Sequence, residues 1–168
     1  MAYLLIALAI VFRLVKHIPN FAPIGAVALF SGVYLKNKWA LALPLAAMVI
    51  SDYFIGYYTL PVMLAVYSSF ALIGVIGRYV GKNKNLYTIV GGCLTGSVLF
   101  YLITNFAVWA ATPYYAKTLT GIVQCYVNAL PFFRYTVAGD IFFSTVLFGS
   151  YEAALAFQRK KELQKASV

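Results

Sequence analysis

Six apolar stretches, separated by short segments that hold most of the charged residues, constrain this chain more than any other feature. Hydrophobic residues make up 63% of the sequence and charged residues only 10%, whereas a soluble domain has about 45–50% and about 25%. So little polar surface cannot cover a water-soluble globule. Because a membrane-crossing helix needs about 20 apolar residues, 168 residues have room for roughly six spans. We predict an all-α, polytopic membrane protein with a single transmembrane domain, residues 1–168.

The ends of the apolar stretches give the predicted helices. We place them at about 2–14, 23–35, 39–54, 60–80, 86–111 and 132–157. The second is rich in glycine and alanine, whose small side chains let helix backbones approach closely, so we place it inside the bundle. Residues 112–133 belong to none of them, since they begin with a turn at Pro113, contain a short helix over 119–130 and end at Pro131. They predict a partly helical segment on the membrane surface or folded back into the membrane.

Lysine and arginine are distributed unevenly over the predicted loops. Nine of the 13 fall in the second–third loop, the fourth–fifth loop and the basic tail 158–168, and four fall on the other side. Cytoplasmic loops are enriched in these residues, so we predict a multi-pass protein with both termini in the cytoplasm. The net charge of +9 then reflects topology, and we expect no nucleic-acid partner.

The turn between the first two predicted helices mixes cationic, polar and apolar side chains. Pro19 and Pro23 cannot both lie in one unbroken helix, because each lacks an N–H group and crowds the preceding turn. The turn also carries His17, Asn20 and Phe21. A turn of this composition packs against other elements or lines a cavity. We interpret it as part of a small-molecule pocket at one end of the bundle.

The predicted topology brings most of the remaining ionisable groups to the outer half of the membrane. Such groups are costly at membrane depth and usually face the bundle interior or a water-filled cavity, so a polar cluster near one face indicates a ligand pocket. The predicted substrate-binding residues are Arg13, His17, Asn20, Phe21, Asp52, Asn105, Phe106, Trp109, Arg134 and Asp140. The arginines would favour an anionic group on the ligand, and the aromatic residues would provide stacking surfaces.

Several of these residues also have a purely structural interpretation. Asp52 and Asp140 could pair with Arg13 and Arg134 as ion pairs that lock helices together, with or without ligand contact. His17 could equally meet lipid headgroups. A single histidine without further ligands at metal spacing is weak support for a metal site, so we predict none.

No catalytic arrangement is evident in the sequence. It contains no G-x-S-x-G, no H-E-x-x-H and no phosphate-binding glycine loop. Cys93 and Cys125 lack metal-ligand spacing and fall in or beside apolar stretches, where cysteine packs as a small hydrophobic residue. We therefore expect neither enzymatic activity nor a cofactor, and a nucleotide-driven motor would have to be another chain.

Several blocks together resemble a family of small bacterial membrane proteins regarded as transporters. The blocks are residues 17–26, 44–48, 51–52, 104–109, 117–121, 125–126, 131–133 and 139–140. In size and layout that family is similar to the S components of energy-coupling factor (ECF) vitamin transporters. These six-helix proteins bind a vitamin at the outer face and associate with a coupling membrane subunit and ATPases. The resemblance implies uptake of a vitamin or cofactor precursor, a location in the bacterial inner membrane, and contact with lipids and such a coupling subunit.

One departure from the S-component pattern weakens the prediction of a coupling partner. S components often carry small residues spaced four apart on their first helix, and Ala2, Ala7 and Ala9 do not keep that spacing. A second hypothesis is therefore a structural or assembly subunit of a larger membrane complex, in which the polar groups only join helices. A third, a membrane enzyme acting on a lipid, has weak support from His17 and Asp52 near one face.

Overall fold

The computed structural model describes residues 2–14, 19–35 and 39–166, which form six α-helices and no strand. The helices are α1 Ala2–Leu14, α2 Ile24–Tyr34, α3 Trp39–Ile55, α4 Leu60–Lys82, α5 Leu86–Ala111 and α6 Leu119–Ala166. The all-α prediction is confirmed, and the first five helices begin and end within two residues of the predicted bounds. Prolines, glycines and charged residues at the ends of the apolar stretches account for this agreement.

The last helix differs from the prediction. The segment 119–130 and most of the basic tail both belong to α6, which runs without a break for 48 residues. The helix predicted over 119–130 therefore forms, but the expectation that it is separate from the last span is wrong. A proline removes one backbone hydrogen bond, and in membrane helices neighbouring groups can satisfy the freed carbonyl, so Pro131 lies inside the helix. At about 1.5 Å per residue α6 is about 72 Å long, more than twice the hydrocarbon core of about 30 Å.

Three of the helices are long and apolar enough to cross a membrane: Leu60–Lys82, Leu86–Ala111 and Leu119–Lys165. The other apolar segments, Ala2–Arg13, Ile24–Tyr34 and Ala40–Ile55, are shorter. Large apolar side chains are exposed on every helix except α2. Soluble proteins rarely expose apolar patches of this extent. In a membrane, the acyl chains of lipids would cover this surface.

The short helix α2 lies at the centre of the bundle. It contacts all five other helices, and its residues from Ile24 to Gly32 are all buried. The sequence prediction that this glycine- and alanine-rich helix lies inside the bundle is confirmed. Pro23 directly precedes α2. The first turn of the helix, at Ile24 and Gly25, borders the site described below.

Glycines bring α2 and α4 into direct backbone contact. A Cβ atom built on Gly32 would lie 2.2 Å from the carbonyl oxygen of Gly74, and one on Gly77 would lie 2.3 Å from the carbonyl oxygen of Leu29. The same contacts bring Gly81 against Val33, so the two helices run in the same direction. Small residues at such crossings are the usual means of close helix packing in lipid.

α5 and α6 pack antiparallel, and side-chain hydrogen bonds join them along their length. The hydroxyl of Ser97 on α5 donates to Asp140 on α6 at 2.7 Å. Further along, the hydroxyl of Tyr101 donates to the carbonyl oxygen of Tyr126 at 2.6 Å. These bonds fix the register of α6 and hold Asp140 against the central helix α2.

Candidate functional site

A cavity of about 310 Å³ lies where the six helices meet near the start of α2. Each helix contributes at least one residue to its wall. The apolar part of the wall consists of Ala22, Ile24, Gly25, Met48, Ile55, Val66, Phe70, Ile73 and Phe100. The polar part consists of Arg13, Asn20, Tyr58, Thr136 and Asp140. A mostly apolar cavity with a few polar groups is the usual composition of a small-molecule site.

Arg13 belongs to a buried network that joins α1, α3 and α4. Its Nη2 donates to Oδ1 of Asp52 at 2.8 Å, and the hydroxyl of Tyr67 donates to Oδ2 at 2.8 Å. Asp52 is 1% exposed and is not part of the cavity wall. The structural interpretation of Asp52 therefore applies: the ion pair with Arg13 forms, and it neutralises the arginine. Nη1 of Arg13 is buried and has no hydrogen-bond partner in the described part of the chain.

Asp140 is the other charged residue of the wall, and its environment differs. It is 6% exposed, and Ser97 is its one hydrogen-bond donor among the residues described. The alternative that Asp140 pairs with Arg134 is not realised. Arg134 is exposed and interacts with Tyr135, with its guanidinium 4.8 Å from the centre of that ring. Arg134 lies six residues before Asp140 on α6, which corresponds to a rotation of about 120° around the helix axis. The two side chains therefore point to different faces of the helix.

The central helix leaves room for the carboxylate of Asp140. A Cβ atom on Gly25, in the first turn of α2, would lie 2.2 Å from Oδ1 of Asp140. Only a glycine permits this approach. The N-terminal turn of a helix carries a partial positive charge, and in this arrangement that turn lies directly against the carboxyl group. Sequence reasoning assigned Gly25 to helix packing and missed its role beside Asp140.

The turn before α2 contributes one predicted residue to the wall. Asn20 lines the cavity in a left-handed backbone conformation, with φ 64°. Phe21 instead packs against Phe142 and Phe143 of α6, with ring centres 5.8 and 5.4 Å apart. The cavity wall does not include it. His17, the remaining predicted residue of this turn, lies outside the described residues.

The predicted residues of α5 do not line the main cavity. Asn105 borders an adjoining cavity of about 280 Å³ that shares Asn20, Phe100 and Thr136 with the main one. Its amide donates back to the carbonyl oxygen of Tyr101 at 2.8 Å. Phe106 and Trp109 pack on each other with ring centres 5.6 Å apart. The indole N–H of Trp109 donates to the carbonyl oxygen of Ala116 at 3.0 Å. Neither aromatic residue lines the main cavity.

Sequence reasoning missed several residues of the wall. Val66, Phe70 and Ile73 all lie on α4 at positions i, i+4 and i+7, a spacing that marks one helix face and could have indicated them. Tyr58, in the turn between α3 and α4, has no sequence signal that separates it from the aromatic residues common at membrane surfaces. Partial burial raises the pKa of Tyr58 above its ordinary value, and the nearby negative charge of Asp52 raises it further. The hydroxyl of Tyr58 therefore stays protonated and can donate a hydrogen bond.

Comparison with known proteins gives one match. A family model described as "Family of unknown function (DUF6580)" matches residues 1–164. The match spans nearly the whole chain and all six helices. No curated protein and no solved structure matches the chain.

Proposed function

We propose a function for this chain, which belongs to the DUF6580 family of unknown function. The protein is a membrane uptake protein that binds a small solute in the main cavity, the one near the start of α2. The cavity of about 310 Å³, bordered by all six helices, is the observation that carries the proposal. Protein interiors are close-packed and contain few voids larger than a water molecule. A subunit whose helices only support one another has no need of a cavity many times larger than a water molecule.

The size and lining of the cavity suit a small organic molecule. Its volume lies at the lower end of the range of about 300–1,000 Å³ that is typical of ligand sites. Phe70 and Phe100 offer aromatic surface from two helices, and their ring centres are 5.1 Å apart. Asn20, Tyr58 and Thr136 add neutral hydrogen-bonding groups at the wall. This combination fits a solute with a compact apolar body and few polar substituents.

The similarity to S components adds two finer expectations to this proposal. The solute would be a vitamin or cofactor precursor, and uptake would use a coupling membrane subunit with ATPases. The alternative of a structural or assembly subunit has support of its own, because the Arg13–Asp52–Tyr67 network joins three helices. That network accounts for helix packing and leaves the cavity without a role.

A cavity-filling variant tests the proposal. In Val66→Phe a larger ring would occupy part of the cavity, and we expect bound solute to be lost while the bundle still folds. Val49→Phe is the matched control, since Val49 is exposed on α3. The measurement is native mass spectrometry of gently purified protein, followed by thermal unfolding with a panel of vitamins and precursors. A bound solute at 100 times its Kd stabilises a protein by about 2.7 kcal/mol, which raises the midpoint measurably.

We expect the wild type and Val49→Phe to carry or respond to the same small molecule, and Val66→Phe not to. Stoichiometric partner proteins without any small molecule, together with no thermal response in the panel, would favour the structural subunit. Binding that persists undiminished in Val66→Phe would place the solute elsewhere and contradict the proposal.

A further inference from the structure

Of the two charged side chains that border the cavity among the described residues, Arg13 and Asp140, only one has a counter-ion. Arg13 is paired with Asp52 at 2.8 Å, so the pair is neutral as a unit. The ion pair of Lys84 with Glu152 lies elsewhere. Asp140 is therefore a buried carboxylate on the wall with no cation beside it among the residues described.

The carboxyl group of Asp140 has unused capacity for a partner. Each carboxylate offers roughly four acceptor sites, and the hydroxyl of Ser97 fills one of them at 2.7 Å. The first turn of α2, at Gly25, lies against Asp140 and carries only the partial positive charge of a helix N-terminus, not a full counter-charge. Ionisable side chains at membrane depth are costly unless they are paired, and unpaired ones usually mark a ligand or ion pathway.

We propose, on the basis of the solute-binding function above, that the solute is an organic cation whose ammonium-type group pairs with Asp140. Its apolar body lies against Phe70 and Phe100, and the aromatic faces add attraction for the same positive charge. This assignment reverses the preference expected from the sequence. Arg13 is already neutralised by Asp52, and Arg134 lies outside the cavity wall, so neither supplies a free positive charge for an anionic ligand.

Three probes that share a phenylethyl body and differ in the charge of their end group test the assignment: 2-phenylethylammonium, 2-phenylethanol and 3-phenylpropionate. Their affinities for the full chain, held in a neutral detergent at pH 7, would be measured by calorimetry and by thermal shift. A charge-assisted contact in a buried site corresponds to about 10- to 100-fold in affinity. We expect the ammonium to bind tighter than the alcohol by that factor, and the carboxylate to bind weakest.

Asp140→Asn keeps the shape of the side chain and removes its charge. We expect the advantage of the ammonium over the alcohol to fall to about twofold or less, with the affinity of the alcohol nearly unchanged. Glu152→Gln is the matched control, because it converts a carboxyl outside the cavity wall to an amide, and it should keep the full preference. If Asp140→Asn fails to fold, the three-probe comparison on wild type and Glu152→Gln still decides whether the site prefers a cation.

The outcomes separate this inference from the proposed function. If the alcohol or the carboxylate binds the wild type as tightly as the ammonium does, the assignment of a cation is overturned, while solute binding itself stands. Stabilisation by sodium alone, lost in Asp140→Asn, would replace the organic cation with an inorganic one and also overturn it. No response to any probe or to the vitamin panel would count against the proposed function itself.

Discussion

Replacing Arg13 with methionine is expected to lower the free energy of unfolding by about 3–5 kcal/mol. The reason is the group that the substitution leaves behind. Asp52 is 1% exposed and loses its counter-ion, and the single hydroxyl of Tyr67 cannot compensate a buried negative charge. Methionine keeps most of the apolar volume of the arginine stem, so the loss reports the charge and not a cavity. Reversible unfolding in mixed micelles by titration with a denaturing detergent would measure it.

A double variant supplies the decisive control for this prediction. Arg13→Met combined with Asp52→Asn removes both charges, and buried pairs replaced by neutral groups of similar volume often cost little. We expect the double variant to recover most of the stability that the single variant loses. Equal losses in the single and double variants would contradict the ion-pair explanation and attribute the effect to packing around α1.

The second ion pair of the described residues shows how strongly burial matters. The side chains of Lys84 and Glu152 are 33% and 46% exposed, whereas that of Arg13 is 14% exposed. Exposed pairs typically contribute about 0–1 kcal/mol because water and salt screen them. Lys84→Met should therefore change stability far less than Arg13→Met under the same conditions.

The sequence predicted helices well and contacts between them poorly. Five helices could be bounded because apolar stretches end where prolines, glycines and charges begin. The central place of α2 followed from its small residues. The continuity of α6 through Pro131 could not be predicted, because whether a proline ends a helix depends on neighbours that satisfy the freed carbonyl.

Prediction of the site was limited because a single sequence does not show which side chains of different helices meet. Arg13, Asn20 and Asp140 do border the cavity, since polar residues in apolar stretches are few. Of the two ion pairs that the sequence suggested as alternatives, Asp52 with Arg13 forms, while Asp140 has no such partner among the described residues. Phe70 and Phe100 were not singled out, because a sequence rich in aromatic residues does not distinguish rings that face lipid from rings that face a cavity.

Alanine in place of Gly32 is expected to disrupt the contact between α2 and α4. The new methyl carbon would lie 2.2 Å from the carbonyl oxygen of Gly74 and 2.8 Å from Cα of Gly77. Both are backbone atoms, so no side chain can rotate away, and α4 must move from the central helix α2. Overpacking of this kind costs about 1–3 kcal/mol and occasionally more, against a gain of about 1 kcal/mol from replacing glycine in a helix.

Gly91→Ala and Gly149→Ala are matched controls for this prediction, because a Cβ atom at either position meets nothing within 4 Å. We expect both to unfold at the wild-type midpoint or slightly above it, and Gly32→Ala to unfold several degrees below it or to accumulate poorly. Size-exclusion chromatography after stepwise heating in detergent gives the three midpoints side by side. A Gly32→Ala midpoint equal to those of the controls would mean that α2 and α4 do not touch through their backbones. The cavity wall, which takes Ile24 from one helix and Phe70 from the other, would then need a different explanation for its shape.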